Sequence, residues 1–243
     1  TLPALTEIPQ SWDKLVEVGR IIKPREEAWT DGLRQPEPGT QGSCSAKQAE
    51  AGLIHVFSAG EAPEYLILDV GEMTTAFVTI ELETESGGQL LLRYAEALSQ
   101  ELVKASRAAD SGGDAEGFFD SYRLRPGVQC YEPFFWRPFR FLKLVVSGHR
   151  APVKLRRVDL RRCVYPGKVR AAFRSSSKLL DDILQVSWRT AELCAHDTHD
   201  DCPYYEQLPY AGDLRLHGPI GAMMTGDERL LERSIRMYAW SQQ

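Results

Sequence analysis

The spacing of apolar residues changes once along the chain, near Ser175, and this change limits the folds open to it. Before it, Val78, Ile80 and Leu82 alternate with polar residues, a period of two that is typical of strands with one buried face. After it, apolar side chains follow the spacing of one helix face, as Leu180, Ile183, Leu184, Ala191 and Cys194 do. Because the two periods follow each other instead of interleaving, the sequence predicts a β domain followed by a helical one.

The domain boundaries follow from this change. Short alternating runs with Gly- and Pro-rich connections occupy residues 51–172 and predict a two-sheet β-sandwich. Residues 173–243 are predicted to be helical. Residues 1–50 are Pro-rich and polar, and we predict a linker or an edge segment that lies along the sandwich.

Four local features are predicted within the sandwich. Residues 86–88 (Ser-Gly-Gly) suit a hairpin turn between two strands. The pair Arg156-Arg157 fits a bulge, because apolar residues change parity across it. Residues 99–117 are polar and predict a long loop. The basic run at 137–170 predicts a solvated outer sheet face or, alternatively, a docking surface for an acidic domain.

Composition excludes several classes of protein. The chain has 34 acidic and 29 basic residues, a net charge of −5, which gives a nucleic-acid partner no electrostatic support. No apolar run approaches the roughly 20 residues that a transmembrane helix needs, and the first residues lack the pattern of a signal peptide. The five cysteines are widely spaced without a CxxC pair, so we predict buried free thiols.

The segment DCPYYEQLPYAGD, residues 201–213, concentrates chemistry between two predicted helices. It holds three carboxylates and three aromatic rings, namely Asp201, Glu206, Asp213, Tyr204, Tyr205 and Tyr210. Two prolines stiffen it by fixing φ. Apolar walls and neighbouring carboxylates favour one protonated carboxyl group, and aromatic rings can stack on a pyranose. These residues suit glycoside hydrolysis, but a solvated acidic loop would have the same composition.

This segment resembles the catalytic signature of the glycoside hydrolase family 78 α-L-rhamnosidases. In that family an Asp-Cys-Pro tripeptide begins five positions before a catalytic Glu, and a further acid follows seven positions after it. Asp201, Glu206 and Asp213 reproduce both spacings. Similarity extends to LLRYAEAL at 91–98, to FRSSSKLLDDILQVSWRT at 173–190 and to TGDERLLERSI at 225–235.

The resemblance implies a fold and a mechanism. The fold would be a jelly-roll-like β-sandwich followed by the first helices of an (α/α)6 barrel, the six-hairpin type, which 71 residues after position 172 are too few to complete. Terminal α-L-rhamnose would be cleaved with inversion from a rhamnose-containing oligosaccharide or glycoside, with Glu206 as the general acid. Asp201 and Asp213 would bind sugar hydroxyls. The general base would lie beyond position 243, so the chain alone would be inactive.

The remaining site residues complete this prediction. Tyr205 stands where many family members carry Arg, and Tyr210 where many carry Trp; both are predicted to contact substrate. His199 is predicted to line the sugar pocket or orient the loop. No metal and no cofactor is predicted, because the run HDTHDDC at 196–202 matches no established ligand spacing.

The sequence offers two alternatives to this function. Cys202 as a nucleophile is disfavoured, because Asp200 and Asp201 beside it oppose a thiolate and no basic helper adjoins it. A non-catalytic carbohydrate-binding or structural β-sandwich module is the second hypothesis. No compartment is predicted, since bacterial cytoplasm, periplasm and secretion all fit. Incomplete covering of the helices predicts some self-association.

Overall fold

A computed structural model describes residues 4–12, 14–20, 53–60, 62–100, 103–104, 114–115 and 117–242. These residues form strands first and helices last, in two compact units: residues 9–161, and residues 1–8 with 162–243. None of the helices in these ranges is long and apolar enough to cross a membrane.

The elements are numbered in chain order. The strands are β1 (Thr6–Gln10), β2 (Lys14–Arg20), β3 (His55–Phe57), β4 (Glu64–Thr84), β5 (Gly88–Ala95), β6 (Leu98–Gln100), β7 (Val103–Lys104), β8 (Asp114–Ala115), β9 (Phe118–Leu124), β10 (Gly127–Tyr131), β11 (Arg137–Ser147) and β12 (Val153–Val164). The helices are α1 (Lys178–Leu193), α2 (Ala211–Thr225) and α3 (Arg229–Trp240). The predicted order of strands followed by helices is therefore confirmed.

The long strand β4 organises the sandwich. Its residues 64–69 lie between β2 and β11, and its residues 80–84 pair with β10, all antiparallel. Between these parts lies Gly71, whose φ of 90° is a backbone conformation that favours glycine over other residues. The strand order across the main sheet is β1-β12-β4-β11-β5-β9.

The core explains the burial of consecutive residues at the start of β4. Leu66 and Leu68 belong to the main apolar cluster, whereas Tyr65 and Ile67 point to the opposite face. That second face is covered by Leu98 of β6 and its neighbours in the smaller sheet β7-β6-β8. Because both faces are covered, alternation alone does not describe this part of the strand.

Several local predictions are decided by the strand pairing. The hairpin prediction at 86–88 is wrong: β5 pairs with β11 and β9, because β11 lies between β4 and β5. The loop predicted at 99–117 is wrong in part, since β6, β7 and β8 form a small sheet there; residues 101–102, 105–113 and 116 lie outside the described ranges. Burial along β12 switches parity at Arg156-Arg157 as the bulge predicted.

The cysteine prediction needs one correction. Cys163 and Cys194 are buried free thiols and Cys202 is half-buried, but Cys130 is exposed. Cys130 lies on β10 next to Tyr131, which packs against the core. Because neighbouring residues of a strand face opposite sides, Cys130 faces solvent. Cys44 lies outside the described residues.

The first 50 residues contribute two strands where they are described. β2 pairs with β4 over residues 64–69, and β1 is the end strand of the main sheet order. Residues 21–50, most of the segment predicted as a linker, lie outside the described ranges.

Side-chain contacts precede two of the helices, α1 and α3. Ser177 precedes α1 without a capping contact from its side chain; instead Asp181 Oδ1 accepts the Ser175 N–H at 2.9 Å. Before α3, Asp227 Oδ1 accepts the Arg229 N–H at 3.1 Å, the contact expected of a capping residue. Gly218 of α2 is buried against Leu231 of α3, where a Cβ atom would clash.

Candidate active site

The loop between α1 and α2, residues 194–210, carries the candidate catalytic residues. Its first part is closed by backbone contacts: a bridge joins Ala195 to His199, and the Asp200 N–H donates to the Cys194 carbonyl at 2.8 Å. These bonds satisfy backbone groups in a segment that has no regular secondary structure. The loop is thereby folded back on the end of α1.

The second part of the loop is a tight turn. The Gln207 N–H donates to the Cys202 carbonyl, and the Asp201 N–H donates to the Leu208 carbonyl, both at 3.0 Å. Gln207 takes a positive φ of 53°, and its side-chain amide donates to the Pro203 carbonyl at 2.8 Å. This closed turn places the residue before Gln207, which is Glu206, on the exposed side of the loop.

Aromatic residues anchor and flank the turn. Tyr204 is buried, and its ring meets that of Tyr205 edge to face with the centroids 4.7 Å apart. Tyr205 itself is 62% exposed. Tyr210 is also exposed, so two rings are available at the surface beside Glu206, as a sugar-stacking site requires.

Glu206 and Tyr210 interact directly. A side-chain hydrogen bond with Glu206 and the charge of that carboxylate raise the pKa of Tyr210, and Asp201 adds to the effect. The Tyr210 hydroxyl therefore donates to the Glu206 carboxylate. The structure thus brings together Glu206, Tyr210 and, at longer range, Asp201.

Asp201 and Asp213 lie near the same buried thiol. Burial raises the pKa of Cys194 to about 12, and the carboxylates of Asp200, Asp201 and Asp213 contribute in that direction. The Cys194 thiol also donates weakly to the Asp201 carbonyl at 3.9 Å. Asp213 lies in the first turn of α2, where a carboxylate is favoured by the helix dipole. The two predicted sugar-binding acids therefore approach one point of the helical unit.

His199 lies in a different environment. It is buried, and burial, together with His217 of α2, lowers its pKa to about 4. It lines a small cavity of about 30 Å³ that is bordered by Tyr165, Gly167, Trp188, Ala191, Glu192, Ala195, His217, Gly221, Thr225, Asp227 and Leu230. None of Asp201, Tyr205, Glu206, Tyr210 and Asp213 lines this cavity.

The sequence reasoning missed His196. Its imidazole Nδ1 lies 2.9 Å from Asp200 Oδ2, and both side chains are almost completely buried. Its Nε2 lies 3.2 Å from the carbonyl oxygen of Cys163 in β12. The available signal was the i, i+4 spacing of His196 and Asp200, which resembled part of a metal-binding run.

Within the part of the chain that the structure describes, no group of three or more His, Cys, Asp or Glu side chains is arranged to hold a metal ion. The larger surface depression, about 740 Å³, lies on the sandwich beside Arg123, Arg125 and Arg150, and contains none of the predicted site residues.

Comparison with known proteins agrees with the resemblance. Residues 168–243 match the bacterial alpha-L-rhamnosidase 6 hairpin glycosidase domain. The family 78 rhamnosidase of Bacillus sp. GL1 is 30% identical with a TM-score of 0.63, over 76% of this chain and 18% of that one. No curated protein matches the chain.

Two further structures share the fold. A rhamnosidase from Klebsiella oxytoca with rhamnose bound is 17% identical with a TM-score of 0.67, over 98% of this chain and 44% of that one. The α-L-rhamnosidase from Dictyoglumus thermophilum is 21% identical with a TM-score of 0.54, over 75% and 20%. The chain thus spans less than half the length of each of these three structures.

These matches confirm the recognition made from the residues. Over residues 168–243 the chain matches the six-hairpin domain, and as a whole it resembles the part of a glycoside hydrolase family 78 rhamnosidase in which a β-sandwich precedes that domain. The predicted fold class is confirmed with it.

Proposed function

We propose that this chain is part of an enzyme that removes terminal α-L-rhamnose from glycosides with inversion, and that Glu206 is the general acid of that enzyme. The observation that carries the proposal is the tight turn at 202–207. It presents Glu206 to solvent and brings its carboxylate to the Tyr210 hydroxyl. The family match at 168–243 supports the reaction class.

The chemistry assigns a role to each carboxylate. Glu206 donates its proton to the leaving glycosidic oxygen, and the Tyr210 hydroxyl orients the carboxyl group. Asp201 and Asp213 accept hydrogen bonds from sugar hydroxyls, while the exposed Tyr205 ring stacks on the apolar face of the sugar.

An inverting enzyme also needs a base. The second carboxylate must lie about 6.5–9.5 Å from the acid so that a water molecule fits between them. We assign this role to no carboxylate of the chain and expect the base from a part of the enzyme outside these 243 residues. The isolated chain is then inactive on rhamnosides.

The remaining assignments from the sequence stand as part of the same proposal. Residues 1–50 form a linker or edge segment, 51–172 the sandwich, and 173–243 the start of the barrel. For His199 we propose loop orientation as its role, because its buried ring faces His217 of α2.

The test of the acid is Glu206→Gln in the enzyme that contains this chain. Glutamine keeps the shape of the side chain but supplies no proton, so the rate on a natural rhamnoside should fall about 10²- to 10⁴-fold. The loss should be smaller on an aryl rhamnoside, whose leaving group needs little protonation. Glu228→Gln, an exposed glutamate before α3, is the matched control and should leave the rate unchanged. A near-wild-type rate for Glu206→Gln would move the acid role to Asp213.

Asp201→Asn and Asp213→Asn test the sugar-binding role. Both should raise KM as well as lower kcat, because each removes an acceptor for a sugar hydroxyl. If wild-type enzyme binds glycans but hydrolyses none, the second hypothesis, a non-catalytic sandwich module, replaces the proposal.

A further inference from the structure

A buried imidazole–carboxylate pair, His196 with Asp200, lies just before Asp201 in the sequence. His196 and Asp200 have side chains only 3% and 4% exposed, and their Nδ1 and Oδ2 atoms are 2.9 Å apart. The other ring nitrogen, Nε2, lies 3.2 Å from the carbonyl oxygen of Cys163. Two different elements, the loop and β12, therefore meet on one histidine ring.

The partners of the ring fix where its protons lie. A peptide carbonyl only accepts hydrogen bonds, so Nε2 must carry a hydrogen. The contact at Nδ1 also needs a proton, either on the ring or on the Asp200 carboxyl group. The pair as a whole is then neutral and both ring nitrogens are hydrogen-bonded, conditions under which such groups are tolerated in an interior.

The His196–Asp200 pair is connected to the candidate catalytic residues through the backbone of the loop. Asp200 precedes Asp201, and the N–H groups of these two residues donate to the carbonyls of Cys194 and Leu208. The Leu208 contact closes the turn that carries Glu206. Holding the Asp200 side chain therefore holds the backbone on which both acids depend.

We propose that His196 and Asp200 are positioning residues, which join the carboxylate loop to β12 and so hold Asp201 and Glu206 in place. The role in catalysis rests on the proposed function; the role in holding the loop does not. A displacement of about 1 Å in a catalytic group can cost about 100-fold in rate. If the pair only filled space, replacing it would not lower the rate in this way.

The first experiment measures the loop in the 243-residue chain, without reference to activity. Amide hydrogen exchange at Asp201 and Gln207 should be about tenfold faster or more in His196→Gln than in wild type, because the link to β12 is lost. His149→Gln is the matched control. His149 is also buried, and its Nε2 also lies close to a carbonyl, that of Ser58, but it belongs to the sandwich. Unchanged exchange at both amides in His196→Gln would overturn the proposal.

A second variant guards against a folding defect. Asp200→Asn keeps the size of the side chain, so the chain should fold while the pair is weakened. Its loop amides should also exchange faster, and the double variant His196→Gln/Asp200→Asn should add little to either single change, because the two residues act as one unit. Additive effects would show that the residues act separately and would overturn the pairing.

The second experiment measures catalysis in the enzyme that contains this chain. His196→Gln should lower kcat about ten- to a hundredfold with a smaller change in KM, because the acid is misplaced while most sugar contacts remain. Faster loop exchange with unchanged kcat would overturn the catalytic part and leave a structural pair. If the wild-type enzyme cleaves no rhamnoside, the proposed function fails, whereas the exchange result still decides whether the pair holds the loop.

Discussion

The sandwich and the helices show equally clear apolar periods in the sequence, yet they bury them very differently. In the sandwich, Leu66 and Leu144 are completely inaccessible to solvent. In α1, Leu180 and Ile183 of the predicted apolar face are each 50% exposed. A period therefore predicts the type of element and which residues share a face, but not whether anything covers that face.

Charged residues show the same contrast. In the sandwich, arginines of β11 and β12 pair with acids on other strands, as Arg140 does with Asp69 and Arg137 with Asp120. In the helices, Lys178 pairs with Asp182, four residues away. The basic run was predicted as a solvated face or a docking surface, and that stays a prediction; many of its side chains are partly exposed and pair with acids on other strands. Pairs within a helix can be seen in a sequence, whereas cross-strand pairs depend on register.

The largest expected effect tests burial in the sandwich. Phe139→Ala should lower the free energy of unfolding by about 3–5 kcal/mol, since Phe139 is completely buried and packs on Tyr94 with ring centroids 5.4 Å apart. Phe134→Ala is the control, because Phe134 is fully exposed and should change stability by less than about 0.5 kcal/mol. Urea unfolding of the chain measures both. Equal effects would show that the exposure of these residues is wrongly assigned.

The next effect compares a buried and an exposed ion pair. Asp69 accepts two hydrogen bonds from the Arg140 guanidinium, at 2.8 and 3.0 Å, and is inaccessible to solvent. Asp69→Asn removes the negative charge that faces this partly buried guanidinium and should cost about 3 kcal/mol. Asp182→Asn, in the exposed pair of α1, should cost less than about 0.5 kcal/mol. Thermal unfolding of both variants decides, and a large effect of Asp182→Asn would contradict the comparison.

The parts of the fold that sequence could predict are those set by neighbours along the chain. Alternation in β4 and the parity switch in β12 follow from local patterns, and the helices follow from spacing after Ser175. The hairpin failed because β11, about 50 residues further on, lies between β4 and β5. Nothing in the sequence of residues 86–88 indicates that another strand lies between β4 and β5.

The site divides in the same way. The spacing of Asp201, Glu206 and Asp213 was visible because all three belong to one short segment. The role proposed for His196 was not, because one of its partners is the backbone carbonyl of Cys163, 33 positions away. A carbonyl carries no signature of residue type, so only the fold reveals such a contact.

A smaller effect concerns pH in the helical unit. The pKa of His199 is lowered to about 4 in the folded chain, whereas in the unfolded chain it is near 6.5. Between these pH values His199 is therefore protonated in the unfolded chain and neutral in the folded one. Acidification from pH 6.5 to 4 should therefore destabilise the fold, by up to about 3 kcal/mol from this group, with no further loss from it below pH 4. The measurement is urea unfolding at pH 7 and pH 4.5, followed by tryptophan fluorescence, to which Trp188 at the border of the same cavity contributes.

Two variants isolate the histidine from the carboxylates that titrate in the same range. His199→Gln should show a shallower loss of stability between the two pH values than wild type. His217→Gln should show an intermediate loss, because His217 contributes less than burial does to the lowered pKa of His199. An identical pH dependence in all three proteins would contradict this assignment.

The smallest effect on stability is expected where the helices expose apolar side chains. Ile183 and Val186 of α1 are 50% and 67% exposed. Replacing both with serine should change the free energy of unfolding by no more than about 0.5 kcal/mol, because little apolar surface is removed from a core. The same change should reduce self-association, since contiguous exposed apolar surface favours it.

Sedimentation at several concentrations separates these two effects. Wild-type chain should associate increasingly with concentration, and Ile183→Ser/Val186→Ser should associate less. Val128→Ser is the control: Val128 is 65% exposed on β10 of the sandwich, but it lies between Gly127 and Gln129 and should not affect association. If wild-type chain stays monomeric and binds no apolar dye, the helix faces are covered in solution. In that case exposure would no longer distinguish the helices from the sandwich, and the two regions would differ only in what covers their apolar faces.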